Sequence, residues 1–378
     1  MTLRDLLREL PIPEQDEARR RSFALVRAAF AEREPTPQRR HYLKPALALA
    51  VVAAVIAAAV SPPGRAVLGS LRKTVAGEKR AAQELFSLPS GGRLLLNSPH
   101  GPWIVQANGS RRRLGSYHEA AWSPHGKFVV AMRPAEVVAV STKGDVHWTL
   151  PRPRVRFARW GGSRIDTRIV YLSGSRLHMV AGDGTGDVDL CGEPAAAPVA
   201  PEWRPPGLPH VLAYADVKGR VYVLDADRCS LAWRSAPFPH PVLLRWSDDG
   251  RRLLLVTHDK LVAFNEQRAR PLGVRVTRGV TDAAFRPRSH ELAIVRGGEV
   301  LALNADRLGA TPRRLFRVTG RIGQIAWSPN GRWLLVTWPD ADQFLFVHGR
   351  RIHAVSGITR QFGGGAFPTL GGWCCASS

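Results

Sequence analysis

A chain of 378 residues that is 44% hydrophobic and 22% charged is longer than one ordinary core requires and too apolar to be disordered throughout. Lys and Arg outnumber Asp and Glu by 54 to 31, a formal net charge of +23. Arg supplies 47 of those 54 in an Arg- and Ala-rich composition, so the charge alone assigns neither a nucleic acid nor any other partner.

Residues 1–41 read as a helical tail. Thr2 suits an N-cap, and Leu3, Leu6, Leu7 and Leu10 share one face before Pro11-Ile12-Pro13 ends the helix. A second amphipathic stretch, from about Glu14 to Glu34, sets Phe23, Val26 and Phe30 on one side. Helices this short do not bury apolar faces alone, so the tail needs a membrane surface, a protein or itself as partner. Residues 42–60 contain an unbroken apolar run, Ala46 to Val60. Extended back through Leu43, with Lys44 snorkelling, it makes a helix of about 27 Å, enough to cross a bilayer once. The long charged segment before it is unlike a cleaved signal peptide. Arg39, Arg40 and Lys44 lie close to its start and Arg65 alone close to its end, which orients the N-terminus to the cytoplasm and the rest outside the plasma (inner) membrane. Residues 61–92 form a basic juxtamembrane stalk that ends at Pro89-Ser90-Gly91-Gly92.

From Arg93 onward the sequence repeats. Trp327-Ser328-Pro329-Asn330-Gly331-Arg332 precedes an apolar run, as do Trp122-Ser123-Pro124-His125-Gly126-Lys127 and Trp246-Ser247-Asp248-Asp249-Gly250-Arg251. Pro presets φ, Gly accepts a positive φ, and Ser can bond its own backbone, so each motif joins two strands by a tight turn. Weaker copies stand at Trp160, Trp203, Phe285 and Phe367, giving spacings of 38, 43, 43, 39, 42 and 40 residues. A period near 40 with several short strands per unit and no 3.6-residue apolar period predicts propeller blades. In the unit of Trp327, strands are expected at 322–327, 332–338, 343–348 and 351–356.

The Trp-Ser-Pro-x-Gly-Arg/Lys unit followed by an apolar strand resembles the WD40-like repeat of TolB-type β-propellers. That resemblance covers about residues 93–378 and implies a binding or scaffolding propeller with no fixed ligand. The fold expected is all-β: six complete units and a seventh built from both chain ends, with six blades as the alternative. Leu94 to Ser98 and Trp373 to Ala376 both suit the second strand of the composite blade. The layout of tail, span and outer domain is also similar to that of membrane-bound anti-sigma factors, whose tails hold a cytoplasmic regulator; the zinc-type Cys motif of many such tails is missing here.

The recurring anchors Trp122, Trp160, Trp203, Trp246, Phe285, Trp327 and Phe367 are read as packing between blades, whereas Trp148, Trp233, Trp338 and Trp373 lie outside that position and are candidates for exposure. Cys191 and Cys229 fall late in successive repeats, so a bridge between blades is expected, and the vicinal Cys374-Cys375 pair can form a disulfide or stay reduced. Gly182 to Asp189 has alternating acidic residues, but Pro194 stands where a calcium loop needs Glu and no helix follows to receive a phosphate, so an Asp-Gly turn explains it better. No nucleophile elbow, Ser-x-x-Lys or His-Glu-x-x-His occurs. The expectation is a non-enzymatic binding protein without cofactor or metal, whose partner is a protein or an anionic cell-envelope polymer rather than nucleic acid. Residues 61–378 hold 44 basic and 24 acidic groups, which suits the polymer.

Overall fold

The computed structural model describes residues 87–375 apart from 192, 193, 206 and 208. The predicted tail, the apolar run at 42–60 and most of the stalk lie outside the described residues. Among the described residues no helix is long and apolar enough to cross a membrane.

Twenty-eight strands form seven four-stranded antiparallel sheets. Blade 1 is β4(Glu119–Trp122), β5(Phe128–Arg133), β6(Glu136–Ser141) and β7(Val146–Pro151). Blade 2 is β8(Val155–Gly162), β9(Thr167–Ser173), β10(Arg176–Ala181) and β11(Val188–Asp189). Blade 3 is β12(Glu202–Trp203), β13(Val211–Ala215), β14(Val221–Asp225) and β15(Ser230–Arg234). Blade 4 is β16(Pro241–Trp246), β17(Arg252–Thr257), β18(Lys260–Asn265) and β19(Pro271–Val276). Blade 5 is β20(Val280–Phe285), β21(Glu291–Arg296), β22(Glu299–Asn304) and β23(Arg313–Arg317). Blade 6 is β24(Ile325–Trp327), β25(Leu334–Trp338), β26(Gln343–His348) and β27(Arg351–Ser356). The closing blade takes its first strand, β28(Thr369–Cys374), from the C-terminal end and the other three, β1(Arg93–Ser98), β2(Gly101–Val105) and β3(Arg111–Arg113), from the N-terminal side. The first strand of each blade touches that of the next all the way round, β28 against β4 included, so the chain is a seven-bladed β-propeller. Of the two stretches that suited the second strand of the closing blade, β1 takes that place.

The apolar runs after each motif are explained by where alternate side chains go. Val129 and Ala131 of β5 pack toward the closing blade, and Val130 and Met132 toward blade 2. Leu253 and Leu255 of β17 face blade 3, and Leu254 and Val256 face blade 5. A strand buried on both faces must be apolar at every position, which removes the usual alternation. Each of seven hydrophobic clusters is shared by two neighbouring blades.

The motif turns repeat atom for atom. The hydroxyls of Ser123, Ser247 and Ser328 accept from the amides of Phe128, Arg252 and Trp333 at 3.0, 3.0 and 2.9 Å. The amides of Gly126, Gly250 and Gly331 donate to the same serines' carbonyls. Those glycines sit at φ of +64° to +67°, a region that a side chain disfavours. This turn consumes Arg332 and Trp333, so β25 starts at Leu334 rather than at residue 332, while β26 and β27 run over the expected residues.

The seventh anchor differs from the sequence reading. The aromatic at the end of β28 is Trp373, paired with Leu94 as Trp122 is with Val129. Phe367 precedes the strand and lies edge-on to Phe344 at 5.6 Å. The indole N–H groups support that assignment: Trp122, Trp203 and Trp327 donate to the carbonyls of Gly372, Arg159 and Ala284, each just before the preceding blade's aromatic. The closing motif is cut in two, its Trp at one end of the chain and its Gly92-Arg93 at the other. The α1(Ile358–Gln361) turn and the glycines at 363–365 lengthen the connection that precedes it.

Trp373→Ala should therefore lower unfolding free energy in urea by about 3–5 kcal/mol, the usual loss for a buried Trp. Phe367→Ala should lose only about 1–2 kcal/mol, and equal losses would argue against the reassignment.

Candidate functional site

An up-and-down blade sends its first-to-second and third-to-fourth connections to one end and the other connections to the opposite end. The first end carries the motif turns, which are constrained by repetition. The opposite end, the loop face, holds segments that do not repeat, and there a cleft of about 730 Å³ opens across the closing blade and blades 1 and 2.

Four separate segments build it. The β1–β2 turn supplies Pro99 and His100, the end of β3 Arg113, and the β3–β4 connection Ser116, Tyr117 and His118. The end of β5 supplies Arg133, the β5–β6 turn Pro134, the β7–β8 connection Arg154, and the start of β8 Val155 and Arg156. Tyr117 is buried, and the Arg133 guanidinium lies 4.7 Å over its ring, a cation–π contact that orients the arginine. Arg133 also pairs with Glu136 and donates to the Ser116 carbonyl at 3.3 Å. Its hydrogen bond to Glu136 raises its pKa further above neutrality.

Arg113, Arg154 and Arg156 are exposed, and their side chains make no hydrogen bond or ion pair with any described residue. The cleft lining thus carries four arginines and no carboxylate, and Glu136, outside the lining, pairs with Arg133. Arg154 is held at φ +52°, a backbone region usually left to Gly or Asn. Its amide donates to the Pro134 carbonyl at 3.1 Å and its carbonyl accepts from Gly174 at 3.2 Å, so bonds to blades 1 and 2 fix that conformation. Unpaired forks of N–H donors around a concavity suit a multiply charged oxyanion.

The motif face carries a different charged feature. His290, in the blade 5 turn, sets both ring nitrogens as donors against carboxylates, Nδ1 2.7 Å from Asp306 and Nε2 3.0 Å from Asp249 of the blade 4 turn. Burial opposes its charge, but the two carboxylates outweigh burial and raise its pKa. Burial likewise pushes Asp249 up, yet bonds from Ser247, the Arg251 amide and His290 hold it at about 2. His210 repeats the arrangement, joining Asp227 of its own blade to the Asp166 carbonyl of blade 2. These are clasps between neighbouring blades. On the first strands, Glu119 pairs with Arg159, and Glu202 and Asp282 flank Arg245, again across blade boundaries.

None of the residues picked from the sequence lines the arginine cleft. Trp122, Trp160, Trp203, Trp246, Phe285 and Trp327 end the first strands and pack between blades. Trp233 and Trp373 are buried, and Trp148 and Trp338 half-buried. Cys191, after β11, is bonded to Cys229, before β15, and Cys374 to Cys375. Asp183 accepts from the amide and hydroxyl of Thr185 in the β10–β11 turn. Among the described residues no group of three or more His, Cys, Asp or Glu is placed to hold a metal ion. The cleft arginines were missed because they come from distant segments of an arginine-rich chain; their one local signal is the density of Arg in the connections around 111–113 and 152–156.

No protein-family model and no curated protein matches the chain. Solved structures match in breadth. A propeller titled "KlHsv2 with loop 6CD replaced by a Gly-Ser linker" is 13% identical with a TM-score of 0.52, covering 68% of this chain and 88% of its own. A chain of the "Mitotic Checkpoint Complex" is 15% identical at 0.52, covering 69% and 89%. The "Dos1 propeller" is 14% identical at 0.52, covering 72% and 77%. Identities this low show the fold and nothing finer.

The clasp has a pH signature. The share from His290, whose pKa is raised on folding, is full below about pH 6.5, the ordinary value, and fades as pH rises through the raised value. The share from Asp249 is present above about pH 4 and fades as pH falls toward about 2. The melting-temperature gap between wild type and His290→Ala should be widest near pH 5–6 and narrow as pH rises beyond the ordinary histidine value through the raised one; a gap independent of pH would contradict this.

Proposed function

We propose that this protein is a membrane-tethered binding or scaffold propeller whose ligand surface is the loop face, and that the arginine cleft on that face holds an anionic polymer of the cell envelope. The observation that carries the reading is the set of three unpaired guanidiniums, Arg113, Arg154 and Arg156, converging on one cleft with a fourth fixed over Tyr117. Exposed charges of one sign in a concavity raise the local concentration of an oppositely charged ligand and speed its capture. The cleft offers charge and N–H donors but no nucleophile and base at hydrogen-bond distance, which favours binding over catalysis. Similar propellers solved within a protein complex suit the scaffold part of the proposal.

Tethering rests on the apolar run at 42–60, and the outward placement on the basic residues before it. That placement favours an envelope polymer over nucleic acid and suits two disulfides. The resemblance to TolB-type repeats fits the same role.

Poly(glycerol phosphate), used as a probe of the full-length chain, should bind with an affinity that falls as salt rises. The double variant Arg154→Glu/Arg156→Glu should weaken binding at least tenfold with its melting temperature unchanged, since neither side chain has a partner. Unaltered affinity, or affinity insensitive to salt, would overturn the proposal.

A further inference from the structure

On the motif face, between blades 1 and 2, a second cavity of about 410 Å³ has walls of another chemistry. We propose that it is a carbohydrate site that takes one neutral sugar ring. Its volume falls in the roughly 300–1,000 Å³ range of small-molecule sites.

Phe128, Trp148 and Trp160 form the walls. Their arrangement is set before any ligand arrives: Phe128 stacks on Trp160 at 5.9 Å and 16°, His147 meets Phe128 edge-on at 4.7 Å, and the Trp148 indole donates to the Gly182 carbonyl at 3.0 Å. Aromatic faces of this kind accept the C–H face of a pyranose.

The polar groups narrow the choice. The indole N–H of Trp122, Trp203 and Trp327 donates to the preceding blade, but that of Trp160 has no partner. A buried N–H left unpaired is costly, because it has lost its water without gaining a partner. Trp246 shares the unpaired N–H, yet it sits within the apolar cluster between blades 3 and 4, whereas Trp160 lines a cavity. Gly182 packs tightly against Thr167 and Trp160, and only a residue without a side chain fits there. A side chain on it would meet the Thr167 hydroxyl at 1.8 Å and the Trp160 indole nitrogen at 3.3 Å. The Thr167 hydroxyl and the Asp183 carboxylate, both in the lining, can bond hydroxyl groups that both donate and accept. A flat aromatic ligand would stack equally well and leave those groups unanswered. Lys127 and Arg164 stand against Asp183 at the rim, a charge close to balance, so this site suits a neutral ring where the opposite face suits a polyanion.

The test is saturation-transfer NMR and tryptophan fluorescence on the full-length chain with glucose, galactose, mannose and N-acetylglucosamine, and with indole as the aromatic comparator. At least one sugar should bind saturably. Trp148→Ala should abolish binding, Thr167→Val, which removes the hydroxyl, should weaken it about fivefold to tenfold, and Arg154→Glu/Arg156→Glu should leave it unchanged. The proposal fails if no sugar binds the folded wild type, if indole displaces every sugar at equal concentration, or if folded Trp148→Ala binds as wild type does. Should Trp148→Ala not fold, Thr167→Val tests the same wall, and unaltered affinity there is equally fatal.

Discussion

No blade of this propeller has a core of its own. Every hydrophobic cluster belongs to two neighbouring blades, because the middle strands bury alternate side chains in opposite directions. An array of such blades that failed to close would expose one unpartnered face at each end. At about 1.5–3 kcal/mol for each Leu or Val returned to water, uncovering Leu94, Leu96, Leu335 and Phe346 alone would use up much of an ordinary net stability of about 5–15 kcal/mol. Closure by β28 is therefore a condition of folding, and the charged clasps at the turns and first strands add direction to a contact that apolar burial leaves unspecific.

This constraint divides the molecule by task. An aromatic near the end of the first strand recurs at every interface, and in three blades it is followed by a serine whose hydroxyl holds the next strand's amide and a glycine with positive φ. Connections on the loop face carry no such duty and are free to differ. There the β3–β4, β5–β6 and β7–β8 segments set four guanidiniums around one cleft, and Arg154 is kept in a strained conformation by bonds to two blades. Strain that the scaffold over-determines is common where a side chain must be aimed. On the motif face, departure from the repeat has the same meaning. Trp160 keeps the anchor position without the hydrogen bond that Trp122, Trp203 and Trp327 make, an absence it shares with Trp246, and a cavity stands beside it.

The sequence made the fold legible because a turn motif and an aromatic recur at nearly constant spacing; in blade 6 the third and fourth strands were readable to the residue, while the first starts three residues later and the second two residues later than expected. Trp373 escaped because its motif is split: the chain after it runs into Cys374-Cys375, and the Gly92-Arg93 that completes the turn comes at the start of the domain. Phe367 fitted the spacing better, since periodicity cannot see a lengthened connection. The cleft was illegible for a different reason. Arg113, Arg133, Arg154 and Arg156 become neighbours only when three blades are assembled, and among 47 arginines no local pattern separates those four. The missing partner of Trp160 is a property of geometry and leaves no trace in composition.

Whether ligand capture belongs to the loop face is tested most directly by hydrogen–deuterium exchange on the full-length chain with and without poly(glycerol phosphate). The account predicts protection confined to the segments around 99–100, 113–118, 133–136 and 151–156, with the motif turns at 123–127, 247–251 and 328–332 unchanged. Protection centred on the motif turns, or spread evenly over both faces, would contradict it.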